Sequence, residues 1–161
     1  DDRLKALAKS CTLILSCERA GPAHNGHCYT MRGIDMTAKG LIAPLHLLVE
    51  LSSSKLVAIG DGGNELGMGK VYDNIVNNPK IQNGQDIACV IKADYLIAAS
   101  VSNWGGYALA AGAALIKAKL ESNNNNNRET TKPQCIEEWI NKCVPTEQEE
   151  VALLERCVEK G

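Results

Sequence analysis

The sequence predicts an α/β fold, built on a mostly parallel sheet with crossover helices in a three-layer, α/β/α-like arrangement. Three short apolar runs bounded by polar residues have the length expected of buried strands: 12–17, 55–59 and 94–100. A helix-like segment follows each run, and this alternation favours parallel strands joined by crossover helices.

Six segments are predicted to be helices: 2–9, 37–51, 64–77, 107–120, 133–143 and 146–160. The segment 37–51 carries apolar residues at helical spacing. Pro44 lies within the first turn of its helix or bends it. Glycines weaken the prediction for 64–77, and residues 86–90 fit a short strand or a connector. Thr146 and Glu149 have the spacing of a capping box at the start of the last helix.

Length and composition indicate a single domain over residues 1–161, with an aliphatic core, because the chain contains no Phe and only 4% aromatic residues. The asparagine run at 123–127 cannot contribute to a core, so we expect a disordered, Asn-rich loop at about 122–132. The chain starts with Asp1 and not Met, and we expect it to be a fragment.

Charge and hydropathy exclude several partners. The formal net charge of -2 offers no basic face for a nucleic acid. No apolar run reaches the roughly 18 to 20 residues that span a bilayer, so no membrane partner is expected. The seven cysteines are odd in number and lack CxxC spacing, which indicates free thiols in a reducing compartment.

Polar, glycine-containing loops follow all three predicted strands: 18–21, 60–65 and 102–106. In parallel sheets, ligands bind outside the carboxyl ends of the strands. The three loops are therefore predicted to meet at one edge of the sheet and to form a binding site there.

The strongest local signal is the segment GDGGNELGMG at 60–69, which has five glycines in ten residues. Backbone N–H groups of Gly62 and Gly63 suit an anion, and Asp61 and Glu65 suit a hard cation. The alternative is a tight turn capped by Asp61 or Asn64. The segment is neither a Walker loop nor the dinucleotide fingerprint, so no nucleotide cofactor is expected.

The loop after the first strand offers Glu18 as a base or metal ligand and Arg19 as a clamp for a substrate carboxylate. The alternative is a surface ion pair. Further along this loop, Arg32 and Asp35 are candidates to face a ligand. The two histidines, His24 and His27, are expected to be solvent-exposed.

In the third loop, Ser102 and Asn103 supply a hydroxyl and an amide that can bind polar groups. The alternative is an N-capped helix with Trp104 packed beneath it.

At these loops the sequence resembles the C-terminal domain of the D-glutamate cyclase family. The matching residues are Glu18-Arg19-Ala20-Gly21, Asn25, Gly26, Tyr29, Met31-Arg32-Gly33, the segment 60–69 and Ser102-Asn103-Trp104-Gly105. The resemblance covers roughly residues 3–120, and the asparagine run departs from the family pattern.

The resemblance implies a hydro-lyase that converts D-glutamate to 5-oxo-D-proline and water in mitochondria. It implies that Glu18, Asp61 and Glu65 act as base or metal ligands, with Mg²⁺ or Mn²⁺ as the candidate cation. Arg19 or Arg32 would hold the α-carboxylate. The polar groups of the substrate would be bound by Asn64, Ser102 and Asn103.

Two other functions fit the same loops. One is a divalent-metal-dependent, phosphatase-like hydrolase, and the other is a non-catalytic module that binds an acidic metabolite. Whether the protein forms a homo-oligomer is left open.

Overall fold

A computed structural model of the chain describes residues 2–124 and 133–160. The chain divides into two compact units, residues 1–105 and residues 106–161. The first unit contains the sheet, and the second contains most of one long helix and the two helices that follow it.

The sheet of the first unit has three parallel strands in the order β1-β2-β3. They are β1 (Leu13–Cys17), β2 (Lys55–Gly60) and β3 (Tyr95–Ala98). Cys17 lies opposite Ile59, and Ile59 lies opposite Ile97, so the three carboxyl ends are level. With helices flanking this sheet, the predicted α/β fold with parallel strands is confirmed.

Seven helices are described: α1 (Asp2–Ser10), α2 (His46–Leu51), α3 (Tyr72–Val76), α4 (Gly84–Ile87), α5 (Ser102–Asn124), α6 (Pro133–Cys143) and α7 (Glu147–Lys160). A short 3₁₀ helix, Gly69–Val71, precedes α3. The core of the first unit is aliphatic, as predicted, and is built on Leu56 and Ala58 of the central strand.

The helix predicted over 37–51 is wrong in its first half, because α2 begins only at His46. Pro44 lacks an N–H group and disfavours helical geometry in the residue before it. Upstream of it, Gly40 has a φ of +65° and its N–H group donates to the carbonyl of Thr37, which closes a turn.

The helix predicted over 64–77 is also wrong in its first half, since residues 64–68 form a loop and α3 covers only 72–76. Gly67 has a φ of +102°, which a right-handed helix does not allow. Residues 84–87 form α4, so most of the segment assigned as strand or connector at 86–90 is a connector.

The second unit contains α5 from Gly106 onward, α6 and α7. The capping box at α7 is confirmed: the N–H of Thr146 donates to the Glu149 carboxylate at 2.8 Å, and the N–H of Glu149 donates to the Thr146 hydroxyl at 3.3 Å. Helix α5 reaches Asn124, and the rest of the predicted Asn-rich loop, 125–132, lies outside the described residues. Among the described helices, none is long and apolar enough to cross a bilayer.

Candidate active site

Three carboxylates meet at the carboxyl ends of the strands. Glu18, Asp61 and Glu65 each bring one oxygen within 4.8 Å of the other two. Glu18 directly follows β1, and the other two lie in the loop after β2, the neighbouring parallel strand. The sequence predicted this juxtaposition because level, parallel strands deliver their following loops to the same place.

These carboxylates line a cleft of about 410 Å³, within the size range of small-molecule sites. Its other polar contributors are Arg19, Asn64 and Thr30. Apolar side chains from the long loop after β1 complete the wall: Met31, Met36, Leu41 and Ile42. None of these four was assigned to the site from the sequence: Met31 entered only through the family resemblance, and Leu41 and Ile42 were placed in the predicted helix over 37–51.

Glu65 is held by its own loop. Its side chain is only 4% exposed, and its two oxygens accept the N–H groups of Gly62 at 3.0 Å and Gly63 at 2.7 Å. Gly63 has a φ of +110°, a backbone conformation that glycine adopts without a steric penalty. The glycine amides that were predicted to bind a substrate anion therefore already hold an anion, the carboxylate of Glu65.

Glu18 is held from two sides. Its φ of +53° places it in the left-handed region, which costs a non-glycine residue about 1–3 kcal/mol. The N–H of Glu18 donates to the carbonyl of Ile59 on β2 at 3.2 Å. The hydroxyl of Ser102, at the start of α5, donates to Glu18 Oε1. A contact from β2 thus fixes the backbone of Glu18, and a contact from the start of α5 fixes its side chain.

Backbone pairing joins the first two loops. The N–H of Leu66 donates to the carbonyl of Arg19 at 2.6 Å, and the N–H of Gly21 donates to the carbonyl of Asn64 at 2.9 Å. The Asn64 side chain donates to the carbonyl of Tyr29 at 2.7 Å. The carboxylates therefore lie on a hydrogen-bonded framework, which keeps their separation fixed.

Arg19 and Asp61 differ in how they are held. The Arg19 guanidinium donates to the carbonyl of Ala43, which directs its side chain along the wall of the cleft. Asp61 is exposed, and within the described part of the chain its carboxylate has no hydrogen bond or ion pair. Asp61 is thus the carboxylate of the three with the most acceptor capacity left for a ligand.

The remaining predicted residues lie elsewhere. Arg32 and Asn103 are exposed, and neither is among the described residues that line the cleft. Trp104 is 61% exposed, so the alternative that packed it beneath the helix is wrong. The third loop therefore reaches the site through Ser102.

The histidines were expected to be solvent-exposed. His24 is exposed, whereas the His27 ring is partly buried and lies 2.6 Å from a carboxylate oxygen of Asp35. The N–H of Ala38 and this contact with His27 lower the pKa of Asp35 below its ordinary value. Asp35 therefore anchors the loop whose neighbouring residues, Thr30 and Met36, line the cleft.

The three carboxylates fit a divalent cation. Mg²⁺, Mn²⁺ and Ca²⁺ take oxygen ligands, and Glu18, Asp61 and Glu65 offer one each within a common radius. The amide hydrogen bonds to Glu65 use one lone pair on each of its oxygens, so acceptor capacity remains.

Comparison with known proteins identifies the family of the chain. Residues 2–161 match the family described as D-glutamate cyclase-like, C-terminal. The chain belongs to this family. In an alignment of 102 positions that covers 60% of the chain, it is 44% identical to a human protein named D-glutamate cyclase, mitochondrial. The chain spans 16% of the length of that human protein.

Proposed function

We propose that the cleft binds D-glutamate and closes it to 5-oxo-D-proline with loss of water. The observation that carries the proposal is the meeting of Glu18, Asp61 and Glu65 beside Arg19 in one cleft. Membership of the D-glutamate cyclase-like family supplies the substrate, because the geometry alone specifies only an acid–base site.

The reaction joins the two ends of one molecule. The amine nitrogen attacks the γ-carboxyl carbon, a C–N bond forms, and one C–O bond breaks. The substrate ammonium loses two protons, and both end in the departing water. A carboxylate that takes a proton from the ammonium and passes it to the leaving oxygen therefore serves both halves of the reaction.

Asp61 and Glu18 are the residues that we assign to proton transfer. Both lie on the cleft, and their exposure leaves them open to a bound amine. Arg19 provides the positive charge that pairs with the α-carboxylate of the substrate. Glu65 is buried and hydrogen-bonded, so its role is to shape the loop and to contribute one oxygen to the cluster.

Electrostatics favours a cation in this cleft. Three carboxylates and one arginine give the cleft wall a formal negative charge, and D-glutamate brings a further net negative charge. Like charges at such distances repel unless a cation offsets them. Glu18, Asp61 and Glu65 would hold a divalent ion, which when bound would make the γ-carboxyl group more electrophilic.

The test is turnover of D-glutamate by the full-length protein, followed by chromatography of 5-oxoproline with and without Mg²⁺ or Mn²⁺. Asp61→Asn is expected to lower kcat by about 10²- to 10⁴-fold, the range for loss of a general base. The matched control is Asp73→Asn, an exposed carboxylate on α3 that does not line the cleft.

The two variants separate the possible outcomes. Loss of product in Asp61→Asn with normal turnover in Asp73→Asn supports the proposal. A folded full-length protein that yields no product under any of these conditions contradicts it. Hydrolysis of a phosphate ester that stops on chelation would instead favour a metal-dependent hydrolase, for which the same carboxylate cluster is suited.

One further property belongs to the proposal. The human relative is named mitochondrial, and we extend this location to the present protein.

A non-catalytic binding module is the other function that fits this cleft. Stabilisation of the protein by D-glutamate without turnover would indicate such a module, whereas formation of 5-oxoproline would contradict it.

A further inference from the structure

Ser102 contacts a carboxylate of the site, although the sequence suggested that it contacts substrate. Ser102 is 9% exposed, and its hydroxyl donates to Glu18 Oε1 across 84 positions of sequence. A buried hydroxyl that is committed as a donor to a protein carboxylate has no proton left to give to a ligand.

The first turn of α5 is held firmly against the sheet. A Cβ atom added to Gly105 would lie 2.6 Å from Cγ2 of Ile59 and 3.2 Å from Cγ2 of Ile97. Only a glycine allows the backbone of the first turn of α5 to come this close to the two side chains. The first turn therefore packs directly on the carboxyl ends of β2 and β3. The backbone of Ser102 is therefore held in a fixed position relative to the sheet, from which its hydroxyl contacts Glu18.

Glu18 is a residue that needs such support. Its left-handed φ of +53° is unfavourable for a non-glycine side chain and persists only where neighbours enforce it. The backbone bond to Ile59 fixes its main chain, and the hydroxyl of Ser102 fixes one oxygen of its carboxylate. Among the described residues the second oxygen has no hydrogen-bond partner, and Glu18 lines the cleft.

We propose that Ser102 is a positioning residue, which holds the Glu18 carboxylate in the orientation that proton transfer requires. This inference rests on the proposed function for its catalytic consequence, whereas the contact itself is independent of any substrate. A misplacement of about 1 Å in a reacting group can lower the rate by about 100-fold, so a change in the orientation of Glu18 should lower the rate of proton transfer.

The catalytic test compares Ser102→Ala, Ser102→Thr and Ser100→Ala for turnover of D-glutamate by the full-length protein. Ser102→Ala is expected to lower kcat by about 10- to 100-fold with KM changed less than threefold. Ser102→Thr keeps the hydroxyl and is expected to restore most of the rate. Ser100→Ala removes an exposed hydroxyl two residues upstream and is expected to change neither constant.

Other results would overturn the inference. A rise in KM with kcat unchanged would mean that Ser102 binds substrate, and a lower melting temperature with both constants intact would mean that it only stabilises the helix start.

A second measurement tests the contact without substrate. Melting temperatures of Ser102→Ala, Glu18→Ala and the double variant are expected to be non-additive, because each single change already breaks the same hydrogen bond. Additive shifts would overturn the inference even if the protein makes 5-oxoproline. Absence of turnover in the unaltered protein, together with non-additive shifts, would overturn the proposed function and leave the positioning contact supported.

Discussion

The loop after β2 and the long helix of the second unit both contain glycine, but for opposite reasons. In the loop, a Cβ atom on Gly67 would lie 2.3 Å from Cβ of Ala58, and its φ is +102°. In α5, no described atom outside the neighbouring helix backbone lies within 4 Å of the position that a Cβ atom on Gly112 would occupy. The backbone around the loop glycine requires glycine, whereas no contact with the described residues requires glycine at position 112.

The largest effect expected from this comparison is at Gly67. Gly67→Ala forces a side chain into a left-handed backbone and into the core beside Ala58, and should lower the free energy of unfolding by about 3 kcal/mol or more. Gly112→Ala should raise it by about 0.5–1 kcal/mol, because alanine favours a helix. Urea denaturation followed by circular dichroism measures both.

Equal effects of the two alanine substitutions would break the comparison. Hydrogen exchange gives the location of each effect, since Gly67→Ala should lower protection in residues 1–105 and Gly112→Ala should raise it in α5. Loss of protection in residues 106–124 of α5 after Gly67→Ala would contradict the division into two compact units.

A second contrast lies within the loop, between two carboxylates of the same cluster. Glu65→Gln leaves a buried N–H group of Gly62 or Gly63 facing an amide NH₂, and should lower the free energy of unfolding by about 2 kcal/mol. Asp61→Asn removes an exposed like charge from the cluster and should leave stability equal or slightly higher.

Thermal unfolding of the two variants checks this contrast. A stability loss in Asp61→Asn as large as that in Glu65→Gln would show that Asp61 has a structural partner. It would also remove the basis for assigning proton transfer to Asp61, because the assignment depends on a carboxylate that is free to bind.

The sequence predicted the sheet because apolar runs of strand length carry their own signal. It also predicted the meeting of Glu18 with Asp61 and Glu65, since parallel strands deliver their loops to one side. It failed over residues 64–68, where Gly67, with a positive φ, interrupts a helix-like pattern. Residue spacing does not reveal the sign of φ, so the error arose from backbone geometry.

The assignment of partners within the site was beyond the sequence. Ser102 lies 84 positions from Glu18, and the packing of the first turn of α5 on the sheet brings the two together. The sequence also could not predict that the N–H groups of Gly62 and Gly63 donate to Glu65, because the same glycine pattern suits an external anion. The sequence predicted which types of residue form the site, whereas their hydrogen-bond partners depended on tertiary contacts.

A smaller effect than those at Gly67 and Glu65 is expected in α7, where sequence and structure agree on the capping box. Two hydrogen bonds hold the pKa of Glu149 below its ordinary value of 4.5. The larger contribution comes from the N–H of Thr146, and the smaller one comes from its hydroxyl. A carboxylate with a lowered folded-state pKa contributes stability above its unfolded value and loses it as the pH falls through the folded value. Protection of the first turn of α7 from hydrogen exchange should therefore be complete above pH 4.5 and decline below it.

Thr146→Ala tests the same cap at neutral pH. It removes the hydroxyl that accepts the N–H of Glu149 and should cost the helix about 1 kcal/mol. Turnover of D-glutamate should be unchanged, because the cap belongs to the second unit and the cleft is lined by residues of the first. A loss of activity in Thr146→Ala that matched the loss in Ser102→Ala would show that α7 contributes to the site, and the contrast between the two regions would then fail.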